Sequence, residues 1–222
     1  MTMSQPASTR VAFVHTGAVV IEPVARLRAE HLPDVVAVNY LDDRIVADLG
    51  ADESRESVGA RLENLVSAAK SSGAEAVMLT CSSISGYAAS LESAVGIPVL
   101  RIDEAMADTA VSEGGRITVI ATLATTSAPT TALLHERAAL LGTSPTITGV
   151  VVDGAFEAIV SGDRATHDRL VGDAIVAASA DSDVIVLAQA SMAGAADTVS
   201  VEVPVLTSLE LGIRRLGDFL AR

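Results

Sequence analysis

A cysteine and a glutamine occupy matching positions in a segment that occurs twice in the chain. Residues 75–86 read EAVMLTCSSISG and residues 183–194 read DVIVLAQASMAG, and the two align without a gap. Cys81, the only cysteine, follows the first apolar run, and Gln189 follows the second. A thiolate can take a proton from carbon or act as a nucleophile, whereas an amide can only hydrogen-bond a carboxylate or carbonyl oxygen. The repeat predicts a duplicated α/β unit with different chemistry in its two halves.

The surroundings of Cys81 favour a reactive thiol. The cysteine ends an apolar run and precedes Ser82 and Ser83, where a helix is predicted to start. Backbone N–H groups and the dipole at a helix start stabilise a thiolate. The alternative is a buried, inert cysteine, which is the commoner state of a lone cysteine.

Two further strand ends carry polar side chains. Gln189, followed by Ala190 and Ser191, either binds a substrate oxygen or is satisfied by the loop backbone. His15 ends the first apolar run and is either a general acid or base near neutral pH or a hydrogen-bonded structural side chain. The other histidines fall in helical patterns and are expected at the surface; they are His31, His135 and His167.

Hydroxyl groups cluster where the second half begins. The stretch VIATLATTSAP places Thr122, Thr125, Thr126 and Ser127 after a strand, with Pro129 in the first turn of the following helix. Hydroxyls together with free N–H groups make an anion site that needs no lysine. Thr126 or Ser127 could instead simply cap the helix, and the two roles are compatible.

Short apolar runs alternate with helical patterns along the whole chain. Runs rich in β-branched residues and without polar alternation are typical of parallel strands covered on both faces. Asp103 and Asp163 are expected to cap helices at 104–113 and 164–179. Ligands bind at the carboxyl ends of such strands, where the polar residues above lie. The predicted strands are 11–16, 35–41, 76–80, 97–102, 117–122, 147–152, 184–188 and 203–207.

Composition restricts the classes of partner. The net charge is −13 and only 2% of residues are aromatic, which argues against nucleic-acid binding. No apolar run approaches the ~18 residues of a membrane span, and the N-terminal residues lack an apolar signal segment. A single cysteine excludes an internal disulfide, so we expect a cytoplasmic protein. No cluster of potential ligands has the spacing of a metal site.

Taken together, these segments resemble the aspartate/glutamate racemase superfamily, which includes amino-acid racemases, hydantoin racemases, maleate isomerases and arylmalonate decarboxylases. The resemblance rests on AVMLTCSSISG, VIATLATTSAP and VIVLAQASMAG, in that order and spacing. It implies an α/β fold of two similar Rossmann-like parallel-sheet lobes, related by a pseudo-twofold axis, with the active site in the cleft between them. We expect a flexible tail at 1–9, a first lobe of 10–102 with 206–222, and a second lobe of 103–205.

The resemblance also implies residue roles. Racemases of the superfamily use no cofactor and place two cysteines on opposite sides of the substrate's α-carbon. Cys81 matches the first thiol, and Gln189 stands where the second is expected, so a two-thiol racemase is not the expected activity. Hydroxyls and backbone N–H groups hold the substrate carboxylate in the family. The predicted substrate-binding residues are His15, Thr16, Ser82, Ser83, Thr122, Thr125, Thr126, Ala190 and Ser191.

We therefore expect a cofactor-independent isomerase or racemase-type enzyme that acts at a carbon next to a carboxylate or carbonyl. Its single catalytic thiol is Cys81, assisted by Gln189. Two alternatives stay open: a decarboxylase or lyase of the same superfamily, and an inactive protein that binds a small carboxylate. The single-cysteine arylmalonate decarboxylases carry their thiol in the second half rather than the first. The expected partners are a small carboxylate-containing metabolite and further copies of this chain, in a homodimer or larger homo-oligomer.

Overall fold

Two parallel sheets form the framework of the computed structural model, which describes residues 9–50 and 55–222. The first sheet has the order β2-β1-β3-β4 and contains β1 (Arg10–His15), β2 (Val36–Leu41), β3 (Ala76–Leu79) and β4 (Val99–Arg101). The second has the order β6-β5-β7-β8 and contains β5 (Arg116–Ala121), β6 (Thr146–Val151), β7 (Val184–Leu187) and β8 (Val205–Leu206). Each strand coincides with one predicted apolar run, which confirms the α/β class with two similar lobes.

Helices connect the strands and cover the sheets. Within the described ranges the first half contains α1 (Ile21–His31), α2 (Ile45–Gly50), α3 (Arg55–Ser71), α4 (Ser82–Ser85), α5 (Ala88–Val95) and α6 (Glu104–Glu113). The second contains α7 (Ala124–Leu141), α8 (Ala155–Val160), α9 (Arg164–Ser179), α10 (Ala193–Ala196) and α11 (Ser208–Leu220). Short 3-10 helices at Ala18–Val20 and Ala190–Met192 follow β1 and β7.

The two sheets repeat the same local contacts as well as the same strand order. Arg10 opens β1, and its backbone N–H donates to the Glu75 carboxylate at 3.3 Å. Arg116 opens β5, and its backbone N–H donates to the Asp183 carboxylate at 2.8 Å. The acidic residue that begins each copy of the repeated segment thus binds the start of the neighbouring strand. The pseudo-twofold axis that would relate the two sheets stays a prediction.

Burial differs between the central and edge strands. Every residue of β3 and β7 is buried, as are all residues but the first of β1 and β5. The edge strands β2 and β6 are partly exposed: 40% of the surface of Val36 and 43% of that of Val151 are accessible to solvent. The prediction that the strands are covered on both faces is therefore correct for the central strands only. Helices cover only part of β2 and β6.

Two helices connect the lobes. Leu209, Ile213 and Leu216 of α11 pack in one cluster with Val11 and Phe13 of β1, so the C-terminal helix covers the first sheet. The buried residues of α6, in contrast, pack against β5 and β7 of the second sheet. This packing agrees with lobe boundaries near 102/103 and 205/206, which remain a prediction. Residues 1–8 of the predicted tail lie outside the described residues.

Three helix starts test the predicted caps. Asp163 caps α9 as expected, because its carboxylate accepts the N–H of Thr166 at 3.0 Å. The cap predicted at Thr126 or Ser127 is wrong: α7 begins at Ala124, after an extended Leu123 that offers no capping side chain. Asp103 does precede α6, but its carboxylate makes no cap hydrogen bond and turns to another partner.

Candidate functional site

The carboxyl ends of β3 and β7 bring the two copies of the repeated segment together. Cys81 and Gln189 both have extended backbones, with φ and ψ of −135° and 128° for the cysteine and −131° and 140° for the glutamine. Ser82 then donates its hydroxyl to the carbonyl oxygen of Ala188 at 3.2 Å. Because these partners are the sequence neighbours of Cys81 and Gln189, the loops that carry the thiol and the amide touch across the two sheets.

Cys81 is reduced, partly exposed and held through its backbone. It is the N-cap residue of α4, and its carbonyl oxygen accepts the N–H of Ile84 at 3.1 Å. The hydroxyl of Ser85 lies 3.3 Å from the same oxygen. The cysteine thus follows a strand at a fixed turn, and it packs against the core of the first sheet while the residue as a whole keeps part of its surface exposed.

Gln189 uses its side-chain oxygen within the second lobe. Its Oε1 accepts the backbone N–H of Thr122 at 2.7 Å and the Thr122 hydroxyl at 2.9 Å. Two donors from the end of β5 therefore converge on one oxygen atom, the arrangement that a carboxylate or enolate oxygen also requires. The amide nitrogen of Gln189 remains as the donor that this residue can offer.

His15 lies beneath this edge rather than on its surface. The ring is fully buried and stacks on Phe13 with 6.5 Å between ring centroids. Nδ1 lies 2.8 Å from the Thr80 hydroxyl and Nε2 lies 2.9 Å from the Asn39 side-chain oxygen. Burial lowers the pKa of His15, which the bond to Asn39 opposes. The protein itself therefore engages both nitrogens of a neutral ring, with the Nε2 proton donated to Asn39.

The remaining predicted residues divide into buried and accessible groups. Thr16, Ser82, Thr122 and Thr126 are buried at the strand ends and first helical turns, and the others keep part of their surface. Arg164 of α9 holds the second loop by donating to the carbonyl oxygen of Ser191 at 3.3 Å. The accessible members are Ser83, Thr125, Ala190 and Ser191.

A cavity of about 650 Å³ adjoins the loops and has walls from both lobes. Ser82 and Ser83 line one side, and Thr125 and Pro129 of α7 line the other. Apolar side chains of α2 and a salt bridge between Arg101 and Glu136 complete the walls. Three predicted substrate-binding residues, Ser82, Ser83 and Thr125, thus line one cavity. The residues that line it do not include Cys81 or Gln189, nor the other predicted residues His15, Thr16, Thr122, Thr126, Ala190 and Ser191.

Two buried ionisable residues were not anticipated. Asp103 follows β4, and its Oδ1 lies 2.7 Å from the Ser85 hydroxyl. His167, expected at the surface, is fully buried in α9 and bonds Asp168 at 2.8 Å. A lone histidine between polar residues in a helical pattern carries no burial signal, because only the packing of α9 on the second sheet decides its position. Asp103 does carry a signal, a carboxylate at a strand end, but the same signal also predicts a helix cap.

The described ranges contain neither a candidate metal-binding group nor a candidate membrane-spanning helix. No group of three or more histidine, cysteine or acidic side chains there could hold a metal ion. None of the helices in the same ranges is long and apolar enough to cross a membrane.

Comparisons with known proteins agree with this geometry. Glutamate racemase RacE1 from Bacillus anthracis shares 20% identity with a TM-score of 0.75, over 97% of this chain and 82% of that one. An aspartate racemase homologue from Pyrococcus horikoshii shares 14% identity with a TM-score of 0.68, over 96% of this chain and 100% of that one. Arylmalonate decarboxylase shares 18% identity with a TM-score of 0.58, over 96% of this chain and 91% of that one.

Sequence comparison identifies the family directly. A search of curated protein sequences gives no significant match. The model of the Asp/Glu/hydantoin racemase family matches residues 15–216, which run from the end of β1 into α11 and include both copies of the repeated segment. The chain belongs to the Asp/Glu/hydantoin racemase family.

Proposed function

We propose that this protein is a cofactor-independent enzyme of the isomerase type that acts at a carbon next to a carboxylate or carbonyl, with Cys81 as its single thiol acid/base. The observation that carries the proposal is the contact between Ser82 and Ala188, since it sets the thiol loop against the loop of Gln189. A substrate between the loops would meet a thiol on one side and an amide on the other.

The reaction begins with proton transfer from carbon to sulfur. The C–H bond next to the carboxylate breaks, an S–H bond forms on Cys81, and the electron pair passes into the carboxylate as an enediolate. The added negative charge needs donors that are already in place, and Thr122 supplies an N–H and an O–H aimed at one point. Substrate oxygen would replace Gln189 Oε1 at those donors.

The fate of the proton decides the product. Returned by Cys81 to the same face of the same carbon, it regenerates the starting configuration. Returned to another atom of the conjugated anion, it gives an isomer. Gln189 cannot accept a proton from carbon, so inversion by a second base at position 189 is not part of the mechanism.

Decarboxylation is the second candidate, and the single thiol favours it. In that reaction the bond between the carbon and a departing carboxylate breaks, CO2 leaves, and the S–H of Cys81 protonates the carbanion. One acid on one face suffices. The similarity to arylmalonate decarboxylase indicates that such chemistry is compatible with this fold. A catalytically inactive protein that binds a small carboxylate is the third possibility, since Gln189 has replaced one potential base.

Exchange of α-protons in deuterated water distinguishes these functions. The protein is incubated with aspartate, glutamate, hydantoins and substituted malonates, and NMR follows deuterium incorporation and CO2 loss. We expect exchange or CO2 loss with wild type, none with Cys81→Ala, and unchanged rates with Ser112→Ala, an exposed position on α6. Carboxylate binding without either reaction would favour the binding protein, and full activity in Cys81→Ala would refute the proposal.

A further inference from the structure

A buried carboxyl group lies behind the turn that carries the thiol. Only 2% of the surface of Asp103 is exposed, and Ser85 is equally buried. The Asp103 Oδ1 lies 2.7 Å from the Ser85 hydroxyl, which itself lies 3.3 Å from the carbonyl oxygen of Cys81. The three residues therefore form a chain of hydrogen-bonding groups that ends at the backbone of the thiol residue.

We propose that Asp103 is a positioning residue for Cys81 and works as a neutral carboxylic acid. Its Oδ1–H donates to Ser85, and the Ser85 hydroxyl then donates to the Cys81 carbonyl oxygen. This inference rests on the proposed function, in which Cys81 carries the reaction. Fixing the carbonyl orients the peptide from which the thiol extends, and a neutral acid places no negative charge near a thiolate.

The protonated form fits the surroundings of Asp103 better than the ionised form. Its Oδ2 is buried and has no hydrogen-bond partner among the described residues, a cost that is much larger for a charged oxygen than for a neutral carbonyl. Burial raises the pKa of Asp103, and the bond to Ser85, the charge of Arg101 and a hydrogen bond with its own backbone counteract it only in part. An ionised Asp103 would also draw the Ser85 proton away from Cys81.

Neighbouring charges do not provide Asp103 with a counter-ion. Arg101 acts on it at a distance, but the Arg101 guanidinium donates to Glu136 at 3.0 Å. Glu104, the next residue, raises the pKa of Asp103 further and is itself paired with arginines. Helix α4 has the sequence SSIS and brings no ionisable side chain. The arginines that pair with Glu104 are Arg137 of α7 and Arg215 of α11.

The positions that match Ser85 and Asp103 near Gln189 do not form such a series of hydrogen-bonding groups. Counting on from the matched strand positions Leu79 and Leu187 places Ala193 opposite Ser85. Counting on from Val99 and Val205 places Leu209 opposite Asp103. The buried serine and carboxyl group thus occur beside the turn that carries the thiol and not at the matching positions beside Gln189, whereas a purely structural pair would serve either place.

Infrared spectroscopy and alkylation test the proposal without a substrate. At pH 7 wild type should show the C=O band of a protonated carboxylic acid, which Asp103→Asn removes and the exposed Asp34→Asn retains. Ser85→Ala should keep the band and move it to the higher frequency of a carboxyl group that lacks an acceptor. Asparagine keeps the shape and donates to Ser85, so iodoacetamide should alkylate Cys81 in wild type and Asp103→Asn at rates within about twofold at pH 7.

Raising the pH should separate the two proteins. Once the infrared band disappears, wild type carries a charge near the thiolate and should react at least about threefold more slowly than Asp103→Asn. Any one of four results would overturn the proposal. Three concern the infrared band: its absence from wild type at pH 7, its persistence in Asp103→Asn, or an unchanged frequency in Ser85→Ala. The fourth is that the alkylation profiles of wild type and Asp103→Asn coincide at every pH. None of these measurements needs turnover. Their results therefore do not depend on whether the protein has the proposed activity.

Discussion

The Gln189 side chain folds back onto Thr122, and in the proposed reaction this contact would decide which donors a substrate meets. Both Thr122 donors are engaged by one neutral oxygen, at 2.7 Å and 2.9 Å. A substrate carboxylate must displace that oxygen to reach them. Displacement exchanges a neutral acceptor for a charged one, and charge-assisted bonds are roughly twice as strong, so the exchange is favourable but costs the Gln189 bonds.

Removing the competing oxygen should strengthen carboxylate binding. In Gln189→Ala both Thr122 donors become free, and hydrogen bonds to a charged acceptor contribute about 1.5–3 kcal/mol. We expect aspartate or malonate to bind about tenfold more tightly than to wild type, measured by isothermal titration calorimetry. The added substitution Thr122→Val removes the hydroxyl donor and should cancel part of the gain. Equal or weaker binding by Gln189→Ala would show that the carboxylate is held elsewhere.

At the level of secondary structure, the buried imidazole ring of His15 links three neighbouring strands through hydrogen bonds. His15 ends β1, and its nitrogens reach Thr80 directly after β3 and Asn39 of β2. The Thr80 hydroxyl also lies 3.0 Å from the carbonyl oxygen of Val14. These bonds fix the strand ends from which the Cys81 turn departs, so His15 contributes to the site through its packing even where it touches no ligand.

Acid should loosen this junction. Burial lowers the pKa of His15, so the unfolded chain takes up a proton below about pH 6.5 while the folded protein resists it. Stability present above pH 6.5 is therefore lost as the pH falls towards the lowered folded-state pKa, by at most about 1.4 kcal/mol per pH unit. Urea unfolding at pH 5 to 8 should show this slope diminished in His15→Gln and unchanged in His135→Gln, an exposed site on α7. Identical slopes in all three proteins would contradict the assignment.

The sequence predicts these elements well and their local contacts less well. Strands and the edge that holds the site follow from the apolar runs, because the carboxyl ends of parallel strands always meet at one edge. The predicted start of α7 is wrong because Leu123 carries no capping group, whereas the hydroxyls that follow it are of the type that caps helices. The cap predicted at Asp103 is wrong for a related reason: its partner Ser85 is 18 residues away, and only the tertiary fold brings the two side chains together.

At the level of the whole molecule, the C-terminal helix α11 packs on the first sheet although it follows the strands of the second sheet in the sequence. Helix α11 lies so close to the end of β4 that a Cβ on Gly212 would be 2.3 Å from the carbonyl oxygen of Ile102. That oxygen belongs to the backbone and cannot turn aside. The absence of a side chain at position 212 is therefore a condition for closing the first sheet and, with it, the cleft between the lobes.

Gly212→Ala should destabilise the protein strongly. The clash forces α11 away from the first sheet, and we expect a loss of about 3 kcal/mol in the free energy of unfolding, measured by urea denaturation. Gly217→Ala is the matched control on the same helix. Its Cβ would meet the flexible tip of Leu32 at 2.9 Å, and alanine favours the helix, so the change should stay within about 1 kcal/mol. A Gly212→Ala protein as stable as this control would mean that α11 does not pack as described.

The lobes also differ in chemistry, and this difference predicts a stereochemical result. In the proposed reaction the only thiol, that of Cys81 in the first lobe, acts from one face of the substrate carbon, and Gln189 of the second lobe lies on the other. Wild type should exchange or deliver a proton on that face alone, detected as deuterium incorporation without loss of enantiomeric purity. Gln189→Cys would place an acid/base on the opposite face and should create racemisation of any substrate that wild type exchanges. Gln189→Ser, which lacks a group that accepts a proton from carbon near neutral pH, is the control. If wild type interconverts both enantiomers at comparable rates, another group must be the second base, with His15 as the first candidate, and the assignment of Gln189 as a residue that only forms hydrogen bonds is wrong.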